Sequence, residues 1–439
     1  MKANFIRRIF NNLANSSPWL VFLPFLLLYA FLSQTMSPHD TLILDEGRYW
    51  QFAENLLHGH YHGYVVGTEG YQFLWNGPGY PIFLTPFVAL GSPLWLVKLM
   101  NAGLLYLAVI FLFKMLNLYV SRSKSLFVAG IFAAYFPMYA ESLPFIMTEA
   151  LAIALTTLAT FLLCRAFRYK DFRFKTLLLA GFTFAMLALT KVLIGYVLLV
   201  MLVLAGASWL LLGKKEKLFQ IGKVFAIALV FCMPYLTYTY AITGKAFYWG
   251  NAGGLQLYWM SSPHAEELGD WHSPTLNENP LQHKYHDAFF ASLEGLGPVE
   301  RDAAFKKKAL ENIKQHPKKW LYNWIANWGR TFFSHPLSFL QPSNGLFMYL
   351  VPNIFLIVFS VIMGIASFLH PKRFPTELLV MVTFVAVYLF GTSLLASYVR
   401  FLFPVIPILL VWIAYGLNRF VTVDFSPKGE LHTQVSAPK

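Results

Sequence analysis

Two adjacent carboxylates, Asp45 and Glu46, lie in the stretch "TLILDEGRYWQFAENLLHGH", a few residues after the first long apolar run of the chain. A carboxylate held beside a hydroxyl can take up its proton while that hydroxyl attacks an electrophile. Asp is also a preferred N-cap residue, and an acidic side chain is favourable at the positive end of a helix dipole. Asp45 therefore has two compatible interpretations, a helix cap and a general base.

Three basic residues and one further carboxylate stand close to the ends of apolar runs. Lys191 lies in "LTKV" and Arg400 in "SYVRF", while Arg48 lies in "DEGR" and Glu149 in "IMTEAL". Cations at such positions bind phosphate groups or snorkel to lipid headgroups. Arg48 can equally pair with one of the two acids before it, and Glu149 can equally stabilise the first turn of a helix.

Histidine and cysteine give no metal or disulfide pattern. His58, His60 and His62 alternate in "HGHYH", which suits zinc only in an extended segment with a fourth ligand from elsewhere. Cys164 and Cys232 both lie inside apolar runs, where neither a disulfide framework nor a Cys-based zinc site is expected. We predict a solvated turn at the histidines and no metal site.

The composition is that of a membrane protein. Of 439 residues, 57% are hydrophobic and only 13% are charged, which is too apolar for a soluble domain of this length. The net charge of +13 comes from short clusters of Lys and Arg between apolar runs. This distribution is typical of cytoplasmic loops and does not indicate a nucleic-acid partner.

Apolar runs of about 20 residues predict about ten transmembrane helices. They cover residues 17–35, 101–119, 124–146, 147–167, 175–191, 192–212, 223–242, 345–369, 376–396 and 400–418. Residues 79–97 are also apolar, but three prolines interrupt them. If this segment is interfacial or re-entrant, both termini and the basic clusters, such as "RAFRYKDFRFK", fall on the cytoplasmic side.

This topology places residues 36–100 and 243–344 outside. It predicts three parts: a membrane module at 1–242 with a functional first loop at 36–100, an external segment at 243–344, and terminal helices with a tail at 345–439. From Tyr49 onward, apolar residues recur with the spacing of an amphipathic helix on the membrane surface. Residues 305–328 are expected to form two helices separated by a break near Pro317. Trp320, Trp324 and Trp328 should share one face of the second helix, and this face is expected to rest on the bilayer.

The chain resembles membrane glycosyltransferases of the GT-C superfamily, in particular bacterial proteins similar to protein O-mannosyltransferases and aminoarabinose transferases. The resemblance rests on "LDEGRYWQFAENLLHGHY" followed by "NGPGYPIF", then on "PFIMTEALAIALTTLATFLL", "LALTKVLIGYV", "TGKAFYWGNAGGLQLYWMSSP", "FKKKALENIKQHPKKWLYN" and "SYVRFLFPVIPILLVWIAYGL" in the same order. It implies an all-α polytopic GT-C fold in a bacterial cytoplasmic membrane, with the active site facing the periplasm.

The resemblance implies transfer of a sugar from a polyprenyl-phosphate-linked donor to a lipid, glycan or protein acceptor, outside the cytoplasmic membrane. Asp45 is the candidate general base, with Glu46 beside it. The departing phosphate already carries charge, so it needs cations rather than an acid, and Lys191, Arg400 and Arg48 are the candidates. Attack from the face opposite the phosphate predicts inversion at the anomeric carbon.

Further substrate contacts are predicted in the two external segments and at the fourth apolar run; they are Glu149, Tyr49, Trp75, Asn76, Tyr80 and Asn251. In aminoarabinose transferases a Glu-Lys pair precedes the Pro-rich segment, whereas this chain has Trp75, Asn76 and Gly77. A different donor sugar is therefore expected. The resemblance also implies that Glu149 assists the base, binds the acceptor or helps to hold a divalent cation.

Other classes of function are open from the sequence, and one is a non-catalytic membrane scaffold, because nothing in the sequence proves that Asp45, Lys191 and Arg400 converge. A flippase or transporter would carry charges or helix breaks at the membrane midplane and internal repeats, and neither is evident. A glycan polymerase or ligase would use a pyrophosphate-linked substrate, for which more basic residues are expected. The predicted class is a glycosyltransferase, with a flippase or a polymerase as the alternative.

Overall fold

Helices make up the regular structure of this protein. The computed structural model describes residues 16–36, 41–43, 45–63, 73–211, 216–272 and 280–420, and no β-strand occurs within these ranges. The α-helices, in chain order, are α1 (Pro18–Val21), α2 (Leu23–Thr35), α3 (Glu46–Leu57), α4 (Gly79–Ala89), α5 (Leu94–Leu116), α6 (Arg122–Ala133), α7 (Phe136–Ser142), α8 (Thr148–Tyr169), α9 (Phe174–Thr190), α10 (Leu193–Leu211), α11 (Glu216–Thr243), α12 (Gly253–Met260), α13 (Pro280–Ala291), α14 (Pro298–Gln315), α15 (Pro317–Phe333), α16 (Leu346–Leu369), α17 (Thr376–Ser393) and α18 (Ile406–Phe420). Short 3₁₀ turns cover Pro371–Arg373, Val399–Phe401 and Phe403–Val405.

Seven helices in the described ranges are long and apolar enough to cross a bilayer: α5, α8, α10, α11, α16, α17, and α18 with the turns before it. Helices α2, α4 and α9 are apolar but shorter. The protein is therefore an all-α, multi-pass membrane protein, as the composition predicts. Which loops lie inside and which outside stays a prediction, and the N-terminal and C-terminal basic segments lie outside the described residues.

Several predicted spans differ from the observed helices. The third, at 124–146, is broken into α6 and α7, because Tyr135 is extended and Pro137 lies in the first turn of the new helix. The second begins at Leu94 instead of residue 101, so the end of the ambiguous segment 79–97 belongs to α5. The remainder, α4, has 11 residues and is only about 16 Å long, too short to cross a bilayer by itself.

Helix α8 lies at the centre of the bundle. In its most apolar stretch 78% of the residues are buried, and it packs against α5, α9, α17 and α18. Helix α16 is the opposite case, since only 17% of its apolar stretch is buried, and its bulky side chains cover the outer surface. This contrast is expected for a bundle whose surroundings are lipid, where apolar side chains face both inward and outward.

The described residues of the segment 243–344 include helices α12 to α15, and α15 packs against the end of α17. The predicted break lies between α14 and α15, with Pro317 as the first residue of α15. The predicted tryptophan face is wrong: Trp324 donates its indole N–H to Ser393 Oγ at 3.0 Å, and Trp328 packs against the core. The exposed apolar side chains of α15 are Leu321, Tyr322 and Ile325.

Candidate active site

Several helix ends meet around one cavity of about 210 Å³. The start of α3, the start of α8, the end of α9 and the turn before α18 all reach it. Of the residues predicted from the sequence, those that line the cavity are Asp45, Arg48, Tyr49, Trp75, Asn76, Glu149, Lys191 and Arg400. Residues that are far apart in the sequence therefore come together at a single place, while their chemical roles stay predictions.

Asp45 stands at the N-terminal end of α3 but makes no side-chain hydrogen bond that caps it. Its carboxylate pairs instead with Arg48, at 3.0 Å from Oδ1, and with Arg400, at 3.5 Å from Oδ2. Burial raises the pKa of Asp45, but the positive charges of Arg48 and Arg400 outweigh burial and hold the pKa below its ordinary value of 3.8. Asp45 is one-third exposed and therefore remains open to the cavity as a carboxylate.

Glu149 and Lys191 form the second charged group of the cavity. Lys191 Nζ lies 2.8 Å from Glu149 Oε1, and Arg400 Nε lies 3.9 Å from the same oxygen. The Glu149 carboxylate is almost fully buried, because α8 brings it into the bundle one residue after the helix begins. Arg400 thus lies between the two carboxylates and joins Asp45 to the Glu149–Lys191 pair.

Arg48 is held by the loop before α4. Its Nε donates to Asn76 Oδ1 at 2.7 Å, and its guanidinium lies over the rings of Tyr49 and Trp75, at 5.6 Å and 5.9 Å from their centroids. Asn76 also donates to the Tyr49 hydroxyl at 3.2 Å. Burial raises the pKa of Tyr49 to about 12, so this phenol stays protonated at neutral pH.

Glu46 does not reach the cavity, although it was predicted as a catalytic residue beside Asp45. Its carboxylate is fully buried and accepts the backbone N–H groups of Ile43 and Ile146, each at 2.7 Å. Lys98 Nζ lies 3.6 Å from the same carboxylate and is also fully buried. We therefore correct the assignment of Glu46 to a structural one that anchors the first loop to α5 and to the start of α8.

Tyr80 and Asn251 also lie outside the cavity lining. Tyr80 is fully buried and packs edge-on against Tyr49, with ring centroids 5.2 Å apart. Asn251 braces the cavity wall from behind, since its side chain accepts the Leu74 N–H at 2.8 Å and its own N–H donates to the Leu74 carbonyl at 3.0 Å. The structure therefore gives both residues packing or bracing contacts and does not place them at the predicted substrate surface.

Two glycines let the first loop approach the end of α9. A Cβ atom at Gly77 would lie 2.1 Å from the Leu189 carbonyl oxygen, and one at Gly79 would lie 2.6 Å from the Thr190 nitrogen. Any larger residue would therefore push the loop away. This close contact places Asn76, which binds Arg48, on the same cavity as Lys191, the residue directly after α9.

The donor set does not fit a divalent cation. In the part of the chain that the structure describes, no three Asp, Glu, His or Cys side chains converge in a manner that could hold a metal. The position between Asp45 and Glu149, where a metal would bridge two carboxylates, is taken by the guanidinium of Arg400. We therefore assign no step to a metal.

Several residues of the cavity wall were not predicted from the sequence. They include Tyr196 on α10, Trp249, Gln256 on α12, and both Tyr388 and Thr392 on α17. Trp249 and Gln256 lie in the Gly-rich and aromatic stretch "TGKAFYWGNAGGLQLYW", which also contains the predicted residue Asn251. Tyr388 and Thr392 have no such signal, because they stand in an ordinary apolar run.

Several solved structures match this chain. The oligosaccharyltransferase of Archaeoglobus fulgidus in its apo form matches with a TM-score of 0.51 and 14% identity, over 92% of this chain and 51% of that protein. The same enzyme tethered to an acceptor peptide matches with a TM-score of 0.51 and 13% identity, over 92% and 50%. ArnT from Cupriavidus metallidurans bound to undecaprenyl phosphate matches with a TM-score of 0.40 and 14% identity, over 91% and 78%.

The oligosaccharyltransferase match shows the fold, and the chain spans about half the length of that protein. The comparison with curated protein sequences gives no match. Residues 47–244 match the family model described as dolichyl-phosphate-mannose-protein mannosyltransferase, a region that contains Arg48, Glu149 and Lys191. The chain therefore shares the fold of that oligosaccharyltransferase, and residues 47–244, less than half of the chain, are similar to the dolichyl-phosphate-mannose-protein mannosyltransferase family.

Proposed function

We propose that this protein is a glycosyltransferase that moves a sugar from a polyprenyl-phosphate-linked donor to a hydroxyl of a lipid, glycan or protein acceptor. The reaction takes place at the outer face of a bacterial cytoplasmic membrane. Asp45 acts as the general base, and the anomeric carbon is inverted. The single observation that carries the proposal is the charge arrangement of the cavity.

The residues that line this cavity include three cations and two carboxylates. A sugar phosphate linked to a lipid through its phosphate is a diester with one negative charge, which such a cation-rich lining can bind. When the glycosidic bond breaks, the phosphate gains a second negative charge. Lys191 and Arg400 are therefore suited to stabilise the phosphate more strongly in the transition state than in the bound donor.

The two carboxylates differ in a way that favours Asp45 as the base. Glu149 is only 2% exposed and binds Lys191 at 2.8 Å, whereas Asp45 is 33% exposed and faces the cavity. An acceptor hydroxyl can approach the open oxygen surface of Asp45 without breaking a buried ion pair. Glu149 then orients Lys191 and Arg400 toward the phosphate.

The proposed step transfers the sugar in one displacement. The acceptor oxygen attacks the anomeric carbon, its proton passes to Asp45, and the bond between that carbon and the phosphate oxygen breaks. The phosphate leaves with the bonding electron pair and remains attached to the lipid. Attack opposite the leaving phosphate inverts the anomeric configuration.

The test is an analysis of lipids and surface glycans in a deletion strain complemented with wild type, Asp45→Asn or Lys191→Ala, with each variant quantified in the membrane. We expect the deletion to lose a sugar-sized mass from one lipid, glycan or protein, and only the wild type to restore it. This mass identifies both the sugar and the acceptor.

Asp171→Asn is a matched control, because Asp171 also pairs with an arginine, Arg173 at 2.7 Å, but lies outside the cavity. It should restore the glycan fully. Full restoration by Asp45→Asn would remove Asp45 as the base. An unchanged glycan profile with carrier lipid accumulated on the inner leaflet would indicate a flippase instead.

A further inference from the structure

Two buried polar atoms on the cavity wall have no hydrogen-bond partner in the structure: the Tyr388 hydroxyl and the Trp249 indole nitrogen. Both side chains are only 1% exposed. A buried polar group without a partner costs free energy, so a native protein rarely keeps one without a reason. Both residues line the same cavity, where a bound ligand can supply the missing partner.

The two atoms also restrict the chemistry of that ligand. An indole N–H can only donate a hydrogen bond, and a phenol donates readily to a strong acceptor. The partner must therefore carry acceptor oxygens. The phosphate and the sugar of a lipid-linked donor both provide them, so the position of each side chain must distinguish the two.

Tyr388 stands on α17 five residues before the helix ends at Ser393, which places it about 7 Å deeper along the helix axis than that end. Thr392 follows one turn later and lines the cavity nearer the helix end. A lipid carrier is embedded in the bilayer and presents its phosphate between its chain and the sugar. The hydroxyl deeper along a membrane helix therefore suits the phosphate, and the sugar extends toward the helix ends.

Other hydroxyls on this side of the cavity are already engaged. Thr392 donates to the Leu389 carbonyl at 2.9 Å, and Thr190 donates to the Met186 carbonyl at 2.7 Å. Lys191, which follows Thr190, supplies charge but is bound to Glu149. Unlike the hydroxyls of Thr392 and Thr190, the Tyr388 hydroxyl therefore has no hydrogen-bond partner within the protein.

We propose that the Tyr388 hydroxyl donates a hydrogen bond to the phosphate of the polyprenyl carrier. The inference rests on the proposed function and adds a neutral donor to the cations Lys191 and Arg400. A tyrosine can make this contact in both the bound donor and the product carrier. Tyr388 should therefore contribute to affinity for the carrier itself, with or without a sugar.

The experiment measures binding of undecaprenyl phosphate to the full-length protein in nanodiscs for wild type and Tyr388→Phe. We expect the Kd to rise about tenfold, because a hydrogen bond to a charged acceptor is lost. The melting temperature without ligand should stay the same or rise, since the phenylalanine removes a hydroxyl that has no partner in the free protein. If Tyr388 were purely structural, its substitution would not raise the Kd while leaving the melting temperature unchanged or higher.

Tyr29→Phe is the matched control. The Tyr29 hydroxyl is also buried, but it donates to the Ala133 carbonyl at 2.6 Å and lies away from the cavity. Its loss should lower the melting temperature and leave the Kd unchanged. Tyr388→Phe should therefore weaken binding without lowering stability, whereas Tyr29→Phe should lower stability without weakening binding.

Equal affinity of wild type and Tyr388→Phe for undecaprenyl phosphate would overturn the inference. So would a loss of affinity confined to a sugar-bearing carrier, which would place the hydroxyl at the sugar. A lowered melting temperature with unchanged Kd would make Tyr388 a structural residue. If the wild-type protein itself does not bind undecaprenyl phosphate, the proposed function fails instead, independently of Tyr388.

Discussion

The charged cavity and a buried histidine network in the segment 243–344 use similar residues in different ways. The buried histidine network consists of Tyr258, Ser262, Glu267 and His286. His286 Nε2 lies 2.8 Å from Glu267, its Nδ1 lies 2.7 Å from the Tyr258 hydroxyl, and Ser262 donates to the other oxygen of Glu267. Each of these groups finds its partner inside the protein.

The cavity is not balanced in this way. It is lined by more cations than carboxylates, and it has a partly exposed carboxylate in Asp45 and a buried hydroxyl without a partner in Tyr388. A polar cluster that satisfies itself stabilises the fold, whereas a cluster that keeps hydrogen-bonding capacity can bind a ligand. Burial and charged residues alone therefore do not identify a site; what identifies it is the part of the cluster left without a partner.

The largest expected effect that tests this comparison is on catalysis. Asp45→Asn should lower sugar transfer by about 10²–10⁴-fold, because an amide cannot accept the acceptor's proton. Binding of the donor should change much less. The measurement is transfer of labelled sugar by purified protein in nanodiscs, with Asp171→Asn as the control. Transfer within threefold of wild type would separate Asp45 from the chemistry.

The next effect concerns the buried ion pair of the cavity. Lys191→Met should lower the free energy of unfolding by about 3 kcal/mol, since it leaves the buried charge of Glu149 with only the more distant Arg400. The double variant Glu149→Gln/Lys191→Met should recover most of that stability but none of the transfer. Denaturant unfolding and transfer assays on both variants provide the test. A double variant that recovers transfer would remove both residues from the site.

A substitution in the buried histidine network should lower stability without lowering sugar transfer. His286→Phe removes a hydrogen-bond partner from both Glu267 and Tyr258, and it should lower the free energy of unfolding by about 1–3 kcal/mol. Transfer per folded molecule should remain at the wild-type level. A selective loss of transfer at unchanged stability would show that this network acts on the reaction.

The smallest expected effect is a shift in the pH profile. Arg48 and Arg400 hold the pKa of Asp45 below 3.8, so transfer should be lost only in strong acid. A depressed pKa in the folded state means that Asp45 stabilises the fold above its unfolded pKa, and that this contribution is lost as the pH falls through the folded value. Arg48→Met should therefore move the acidic limb of kcat/KM to higher pH.

The control for this profile is Arg173→Met, which removes the exposed arginine paired with Asp171. It should leave the acidic limb of transfer in place. If Arg48→Met and Arg173→Met give the same profile as wild type, another group sets that limb. The stability of each variant across the same pH range separates a titration of Asp45 from acid unfolding.

The neighbouring acids show how far the sequence could predict the site. The sequence predicted Asp45 at the end of an amphipathic helix, and α3 begins directly after it with Tyr49, Phe52 and Ala53 buried. It could not separate Asp45 from Glu46, because consecutive side chains point about 100° apart around a helix and only the packing decides which one faces a cavity. Glu46 faces inward because Lys98 and two backbone N–H groups meet it there.

The tryptophans of α15 also show that spacing along a helix does not reveal which face contacts the protein. Their spacing correctly placed Trp320, Trp324 and Trp328 along one face, and Pro317 correctly marked the helix start. Spacing shows that a helix has two faces but not which one contacts the protein. In a membrane both faces can be apolar, so the usual distinction between a buried apolar face and an exposed polar one is lost.

The membrane class, the apolar helices, the GT-C resemblance and the residue types that could bind a phosphate and accept a proton can all be predicted from the sequence. These properties follow from local composition and spacing, which act within one helix or loop. The position of Arg400 between Asp45 and Glu149, and of Tyr388 on the same cavity, became visible only in the folded protein. Such convergence depends on how helices far apart in the chain pack together, and no local pattern records it.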